Sequence, residues 1–304
     1  MSGTPKTDNP TRGIVLIIVA TMIFSMQDAL TKHLAQEYAV PQILWVRYLL
    51  FAGFALVLSV RTRPLRQSLK SSRPILQIVR SLIIVVEIGL FALAVRVLPL
   101  ADTHALVSSF PLMVTALSAF FLAEYVGVRR WSAVCVGFLG VMVILRPGLT
   151  VLQPAALIAL STAFLFAVYH VMTRVVSRDD DSETSLLYMA VVGAVVLTAI
   201  GPFYWTTPSP MAALMMLILA VSGTVGHFIL IKALELAPAS VLQPFNYMML
   251  VWAMLVGYFV FGDFPDLWTI GGGAVIVASG LYIIYREQLR RTPRTVKNPT
   301  QPTY

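Results

Sequence analysis

Long apolar runs, each broken by a short polar stretch, follow one another along almost the whole chain. Ten of them approach the roughly 20 residues that a helix needs to cross a bilayer. They fall at about 13–34, 42–60, 75–95, 103–123, 131–146, 154–174, 185–204, 211–232, 239–261 and 267–285. None shows the alternation of apolar and polar residues that a membrane β-barrel strand requires. The pattern predicts an all-α membrane protein with ten transmembrane helices. Residues 1–12 and 286–304 are polar tails, the second basic and containing proline.

The runs come in two sets of five. Leu100–Glu124 (LADTHALVSSFPLMVTALSAFFLAE) parallels Leu236–Asp263 (LAPASVLQPFNYMMLVWAMLVGYFVFGD). Both open on Leu-Ala, carry proline and polar residues early, continue apolar and close on an acid. Phe24, Thr31 and Lys32 match Phe166, Thr173 and Arg174, each 142 positions on. Arg96, Leu100 and Ala101 match Lys232, Leu236 and Ala237, each 136 on, and Trp131 matches Trp268 at 137. Five is odd, so a second copy enters the membrane the opposite way round. Inverted repeats place a substrate site near the midplane, at the interface between copies. The expected repeats are 13–148 and 149–285.

Composition agrees with this class. Of 304 residues, 58% are hydrophobic and only 12% charged, against about 25% charged in a soluble domain. The net charge of +8 does not point to nucleic acid, because the basic residues lie between spans. Placing the N-terminus in the cytoplasm puts 17 of the 22 Lys and Arg in inside segments and three (Lys32, Arg96, Arg146) outside. Arg47 and Arg80 lie within spans. This asymmetry predicts both termini inside and an even number of spans. Cys135 is the lone cysteine, so a disulfide framework within the chain is excluded. The run after Arg12 lacks a small-residue cleavage pattern and is expected to remain as the first span.

Ten spans in two five-span repeats, with proline and polar residues early in spans four and nine and an acid closing each, resemble the drug/metabolite transporter superfamily, EamA type. RRWSAVCVGFLGVMVILRPG and KALELAPASVLQPFNYMMLVWAMLVGYFVFGDFPD carry the likeness with the first duplicated segment, and it covers about 13–285. Within the superfamily the chain is most similar to the proteobacterial group that includes S-adenosylmethionine and riboflavin uptake carriers. The resemblance implies a small-molecule substrate, a bacterial inner membrane, no cofactor and a monomer or homodimer. It also implies a central cavity lined by spans one, three, four, six, eight and nine, opened to either face by alternating access. Import and export both fit that fold.

Ionisable groups inside spans are costly, roughly 2.5–3.5 kcal/mol each at mid-helix on insertion scales, which makes them candidates for function. Arg80 and Glu87 lie seven apart on span three, on one face and about 10 Å from each other, a spacing that suits opposite ends of a zwitterion. The alternatives are that Arg80 snorkels to the interface and Glu87 pairs with another helix. Glu87, near the centre, is also the candidate for exchanging a proton. Asp28, beside Gln27, is placed in the outer third of span one; a salt bridge with Arg47 is its alternative role. Tyr169 and His170 hold nearly the equivalent place in span six. His227 sits in span eight after a glycine-rich stretch. Ser108 and Ser109 with Pro111, and Gln243, Asn246 and Tyr247 with Pro244, are expected to interrupt spans four and nine. Gln243, Asn246 and Tyr247 share one helix face. A free carbonyl beside proline is tolerated in lipid only next to protein or a watery cavity; interhelical hydrogen bonding is the structural alternative. The substrate-binding set is therefore Asp28, Arg80, Glu87, Ser108, Tyr169, His170, His227, Gln243, Asn246 and Tyr247.

Other features are expected to be structural. Trp45 and Tyr48 read as interfacial anchors, the acidic 179–183 stretch as a solvated linker, and Asp263 and Asp266 as solvated turn residues. Spans five and ten, rich in glycine, read as packing or dimerisation helices. No Walker A sequence, G-x-S-x-G elbow or H-E-x-x-H metal site occurs, so neither ATP hydrolysis, a metal site nor an intramembrane hydrolase is expected.

Overall fold

The structure, a computed structural model, describes residues 10–62, 64–121, 126–145, 154–176, 179–236 and 242–291. Glu124, residues 237–241 of the second duplicated segment and most of both tails lie outside the described residues. Among the described residues, nine helices are long and apolar enough to cross a membrane, and a shorter apolar one covers Phe245–Phe261. With it the bundle has ten spans. Spans one to three are Pro10–Glu37, Val40–Thr62 and Pro74–Val97. Span four is two pieces, Leu100–Val107 and Phe110–Phe121, and span five is Val128–Leu145. Spans six, seven and eight are Pro154–Val176, Ser182–Ile200 and Pro210–Leu236, and span ten is Leu267–Arg291.

Local chemistry sets many of the ends. Pro10, Pro74, Pro154 and Pro210 each open a span, where the missing N–H is no loss. The Asp181 carboxylate caps span seven through Thr184 N–H, at 2.8 Å, and Asp266 caps span ten through Thr269 N–H, also at 2.8 Å. Span four breaks at Ser108 and Ser109, just before Pro111; both hydroxyls turn back onto their own helix, to the His104 and Leu106 carbonyls. Span nine uses three helical geometries in turn: a 3-10 stretch over Gln243–Tyr247 that contains Pro244, an α-helix over Met248–Val256 and a π-turn over Gly257–Phe261.

The two sets of five helices pack with a two-fold logic. Span one runs along span eight, and span three along span six. Span one meets span nine as span six meets span four, and span three meets span seven as span eight meets span two. Spans two and seven, and spans five and ten, pair with each other. Exchanging each span for the one five places on maps these contacts onto themselves, and the odd number of crossings per set makes the copies antiparallel. Large apolar side chains such as Val57, Val60, Phe120, Phe121 and Phe259 stay exposed, which suits a surface that meets lipid.

Spans five and ten pack on one another. A Cβ on Gly140 would come within 2.7 Å of the Gly272 carbonyl oxygen, and one on Gly272 within 2.6 Å of the Gly140 carbonyl oxygen. Only glycine allows backbones this close. Tyr48 differs from its expected interfacial place: it is 3% exposed, and its ring fills the space over Gly193.

Candidate functional site

The bundle has a termini face, where span one begins and span ten ends, and a far face. Polar side chains gather in a layer towards each.

On the far side, Asp28 of span one and His104 of span four meet at 3.1 Å between Oδ2 and Nε2, both buried. The hydrogen-bond partner of Asp28 is His104, not the Arg47 of its alternative role. The Phe91 ring meets the imidazole edge-on at 5.3 Å. Glu87, 6% exposed, lies within electrostatic reach of Asp28 and of Arg47 on span two. Gln27 faces span eight at Gly223, where a Cβ would meet its Oε1 at 2.7 Å.

Towards the termini face stands Arg80, 1% exposed. It does not snorkel. Its guanidinium donates to Tyr169 Oη (3.0 Å), Thr173 Oγ1 (3.3 Å), Gln77 Oε1 (2.9 Å) and the Ser185 carbonyl (2.8 Å), and lies over the Tyr169 ring. Gln77 passes the connection on: its Nε2 donates to Asp180 Oδ2 at 2.9 Å and to Ser185 Oγ at 3.1 Å. Asp180 also accepts from the Ser71 hydroxyl and from Ser72 N–H. Partial burial works to raise the Asp180 pKa, but the hydrogen bonds from Ser71, Ser72 and Gln77 outweigh it and leave the group below its ordinary value. Asp179 pairs with Arg73 at 2.7 Å. The stretch expected to be a solvated linker therefore ties spans two and three of one repeat to spans six and seven of the other.

Beside this layer is an aromatic cluster. Phe166 packs against His170 at 4.4 Å and Phe110 at 4.8 Å, and Tyr169 stacks parallel to Phe166 at 6.2 Å. His170 Nδ1 bonds to the Phe166 carbonyl. Ser108 and Asn246 are partly buried, and Tyr247 is buried with its ring over Gly280. The side chains of His227 and Gln243 lie outside the described residues.

At the far face Lys32 Nζ bonds to Asp263 Oδ2 at 3.0 Å and to the Leu98 carbonyl at 3.2 Å, and sits 4.8 Å from the centre of the Phe261 ring. Asp263 is thus an ion-pair partner, not merely a solvated turn residue. Sequence reasoning missed this tie and the His104 contact because both join distant segments; the signal available was an acid closing span nine and a lysine near the end of span one.

Several buried polar atoms have no hydrogen-bond partner among the described residues: Ser25 Oγ, Gln27 Oε1, Arg80 Nε, Tyr247 Oη and Trp252 Nε1. They lie on spans one, three and nine. Among the described residues, no three His, Cys, Asp or Glu side chains group to hold a metal. A recess between spans one and eight at the far face, lined by residues that include His33, Glu37, Ser209 and Met215, holds none of the candidate residues.

Antiparallel five-helix repeats with charged groups buried at their seams define a polytopic membrane carrier. The model of the EamA-like transporter family matches residues 11–146 and again 153–286, and the chain belongs to that family. It is similar to the S-adenosylmethionine uptake transporter of Rickettsia felis, 29% identical over 276 residues, 91% of this chain and 93% of that one. It is as similar to the riboflavin transporter of Vibrio cholerae, 29% identical over 289 residues, 90% of this chain and 93% of that one. A solved structure described only as the crystal structure of a protein shares the fold, with a TM-score of 0.60 at 16% identity over 92% of this chain and 98% of that one. The chain is a transporter of small metabolites.

Proposed function

We propose that this chain takes up a small metabolite with a flat heterocyclic part, of the kind for which its relatives are named, S-adenosylmethionine or riboflavin. It works by alternating access and performs no chemistry on its cargo. The observation that carries this reading is the set of unpartnered polar atoms on spans one, three and nine. A buried donor or acceptor left unpaired costs about 1–3 kcal/mol, and a bound ligand supplies the missing partners. Asp28 and Glu87 would meet cationic or donor groups and Arg80 an anionic or acceptor group. Tyr169 and His170 would offer aromatic faces, with Ser108, His227, Gln243, Asn246 and Tyr247 along the remaining helices. The functional repeats are 13–148 and 149–285. The termini face is the cytoplasmic side of a bacterial inner membrane, as the excess of Lys and Arg there supports. Glu87 is the proton-coupling residue.

Proteoliposome uptake of labelled riboflavin and S-adenosylmethionine under two pH gradients tests this. Counterflow of unaltered label is expected, and a chemically changed product would overturn the carrier reading. Glu87→Gln is expected to abolish the pH dependence of uptake; if that dependence survives, Glu87 is not the coupling site.

A further inference from the structure

At the far face the seam between spans one and nine has the features of a part that opens. Lys32 belongs to the first repeat and Asp263 to the second, so their ion pair spans the seam between spans one and nine. Beneath it Ala29, Val95, Leu100 and Ala253, with Phe91, Val256 and Phe261 packed on them, form an apolar plug drawn from spans one, three, four and nine. Asp263 stands at the end of an irregular helix. Gly257–Phe261 is a π-turn, Gly262 takes a left-handed φ of 72°, and Asp263 N–H returns to the Gly257 carbonyl at 3.1 Å. Wider turns hold backbone less tightly and recur where helices deform.

The two partners are also unequally buried. The Lys32 side chain is 10% exposed and that of Asp263 39%. Water can reach the carboxylate as it lets go, so separation does not strand a charge in a dry interior. The lysine keeps the Leu98 carbonyl, which belongs to its own repeat.

We propose that Lys32 and Asp263 form the far-face gate of the transport cycle, with the end of span nine as the moving part and the Ala29–Leu100–Ala253 cluster as the seal beneath. The ion pair forms when the far face is shut and breaks when substrate enters or leaves there. This rests on the alternating-access reading above, and on the orientation given there for which side the gate faces.

The lone Cys135, which is exposed, makes the test direct. In a Cys135→Ser background, Ala29→Cys places a thiol in the seal, and its labelling by a membrane-impermeant thiol reagent is followed in spheroplasts. Asp263→Asn and Lys32→Gln are expected to raise the labelling rate about fivefold, the order expected on losing a partly solvated ion pair. The double exchange Lys32→Asp with Asp263→Lys is expected to return it to within about twofold of the parent, the same pair being restored. A second thiol, Ser81→Cys near Arg80, reports general loosening and is expected not to change. Unaltered labelling at residue 29, no recovery in the double exchange, or equal increases at both thiols would overturn the gate. An increase found only in inside-out vesicles would uphold the gate and reverse the assigned orientation. Labelling reads the gate alone, while counterflow reads the carrier, so the two claims fail separately.

Discussion

Near the termini face the seam of spans three, six and seven, and at the far face the seam of spans one and nine, are both tied across the two repeats, but with different strength. At the termini face a fully buried guanidinium makes four hydrogen bonds to spans three, six and seven, and Asp180 adds three acceptor contacts. At the far end of spans one and nine a single ammonium meets a carboxylate that is 39% exposed. Charge-assisted hydrogen bonds in a dry setting are worth about 1.5–3 kcal/mol each, while exposed ion pairs contribute about 0–1 kcal/mol. The lesson is that different seams between inverted repeats need not be fastened alike. The seam of spans three, six and seven is held by a network and that of spans one and nine by a single ion pair, while Gln42 and Tyr38 make further far-face ties to Thr206 and Ser209.

The largest break should come at Arg80. Arg80→Leu removes the donor to Tyr169, Thr173, Gln77 and Ser185 at once and is expected to cost about 3 kcal/mol, read as a lower melting temperature in detergent. Arg80→Lys should recover only part, because an ammonium cannot fork to four acceptors. A Leu variant that melts with the parent would mean that the network does not hold the face shut.

Gly272→Ala sharpens the comparison from outside it. A methyl there meets the Gly140 carbonyl oxygen, a backbone atom that cannot swing away. The expected cost is about 1–3 kcal/mol, again read by melting, but with no preference for one face: thiols placed at Ala29 and Ser81 should become reactive together.

The smallest effect is acid loosening of the termini face. The pKa of Asp180 is held below its ordinary value in the folded chain, by hydrogen bonds that outweigh its partial burial. Its stabilisation is therefore present above about pH 4, the unfolded carboxylate range, and is lost as pH falls through the lower folded value. Asp180→Asn should lower the melting temperature slightly at pH 7, by less than about 1 kcal/mol of stability since the group is partly exposed. The gap from the parent should close as pH approaches 3. A gap that stays constant with pH would show that the charge of Asp180 plays no part.

Much of the fold was legible because bilayer-length apolar runs and their prolines act locally. Pro111 and Pro244 marked the two interrupted spans, and span four indeed breaks at Ser108 and Ser109. What escaped was which helix faces which. Sequence offers Arg47 as an alternative partner for Asp28, which bonds to His104, 76 positions away. Asp180 looked like part of a solvated linker, yet it accepts from Ser71, 109 positions away. Lys32 reaches Asp263 across 231 positions. Periodicity reports the face of one helix; it holds no register between two. The candidate substrate residues were picked by residue type and depth, and the partners that hold Arg80 depend on packing between the repeats.

The crossing of spans five and ten has a bearing on how such a chain can be divided. Each half presents a groove, at Gly140 in one and Gly272 in the other, into which the other half's backbone fits closely. A single half placed alone in a bilayer would leave that groove against lipid, with no side chain to fill it. It would do better beside a second copy inserted head to tail, so two severed halves made together should find each other and rebuild the bundle.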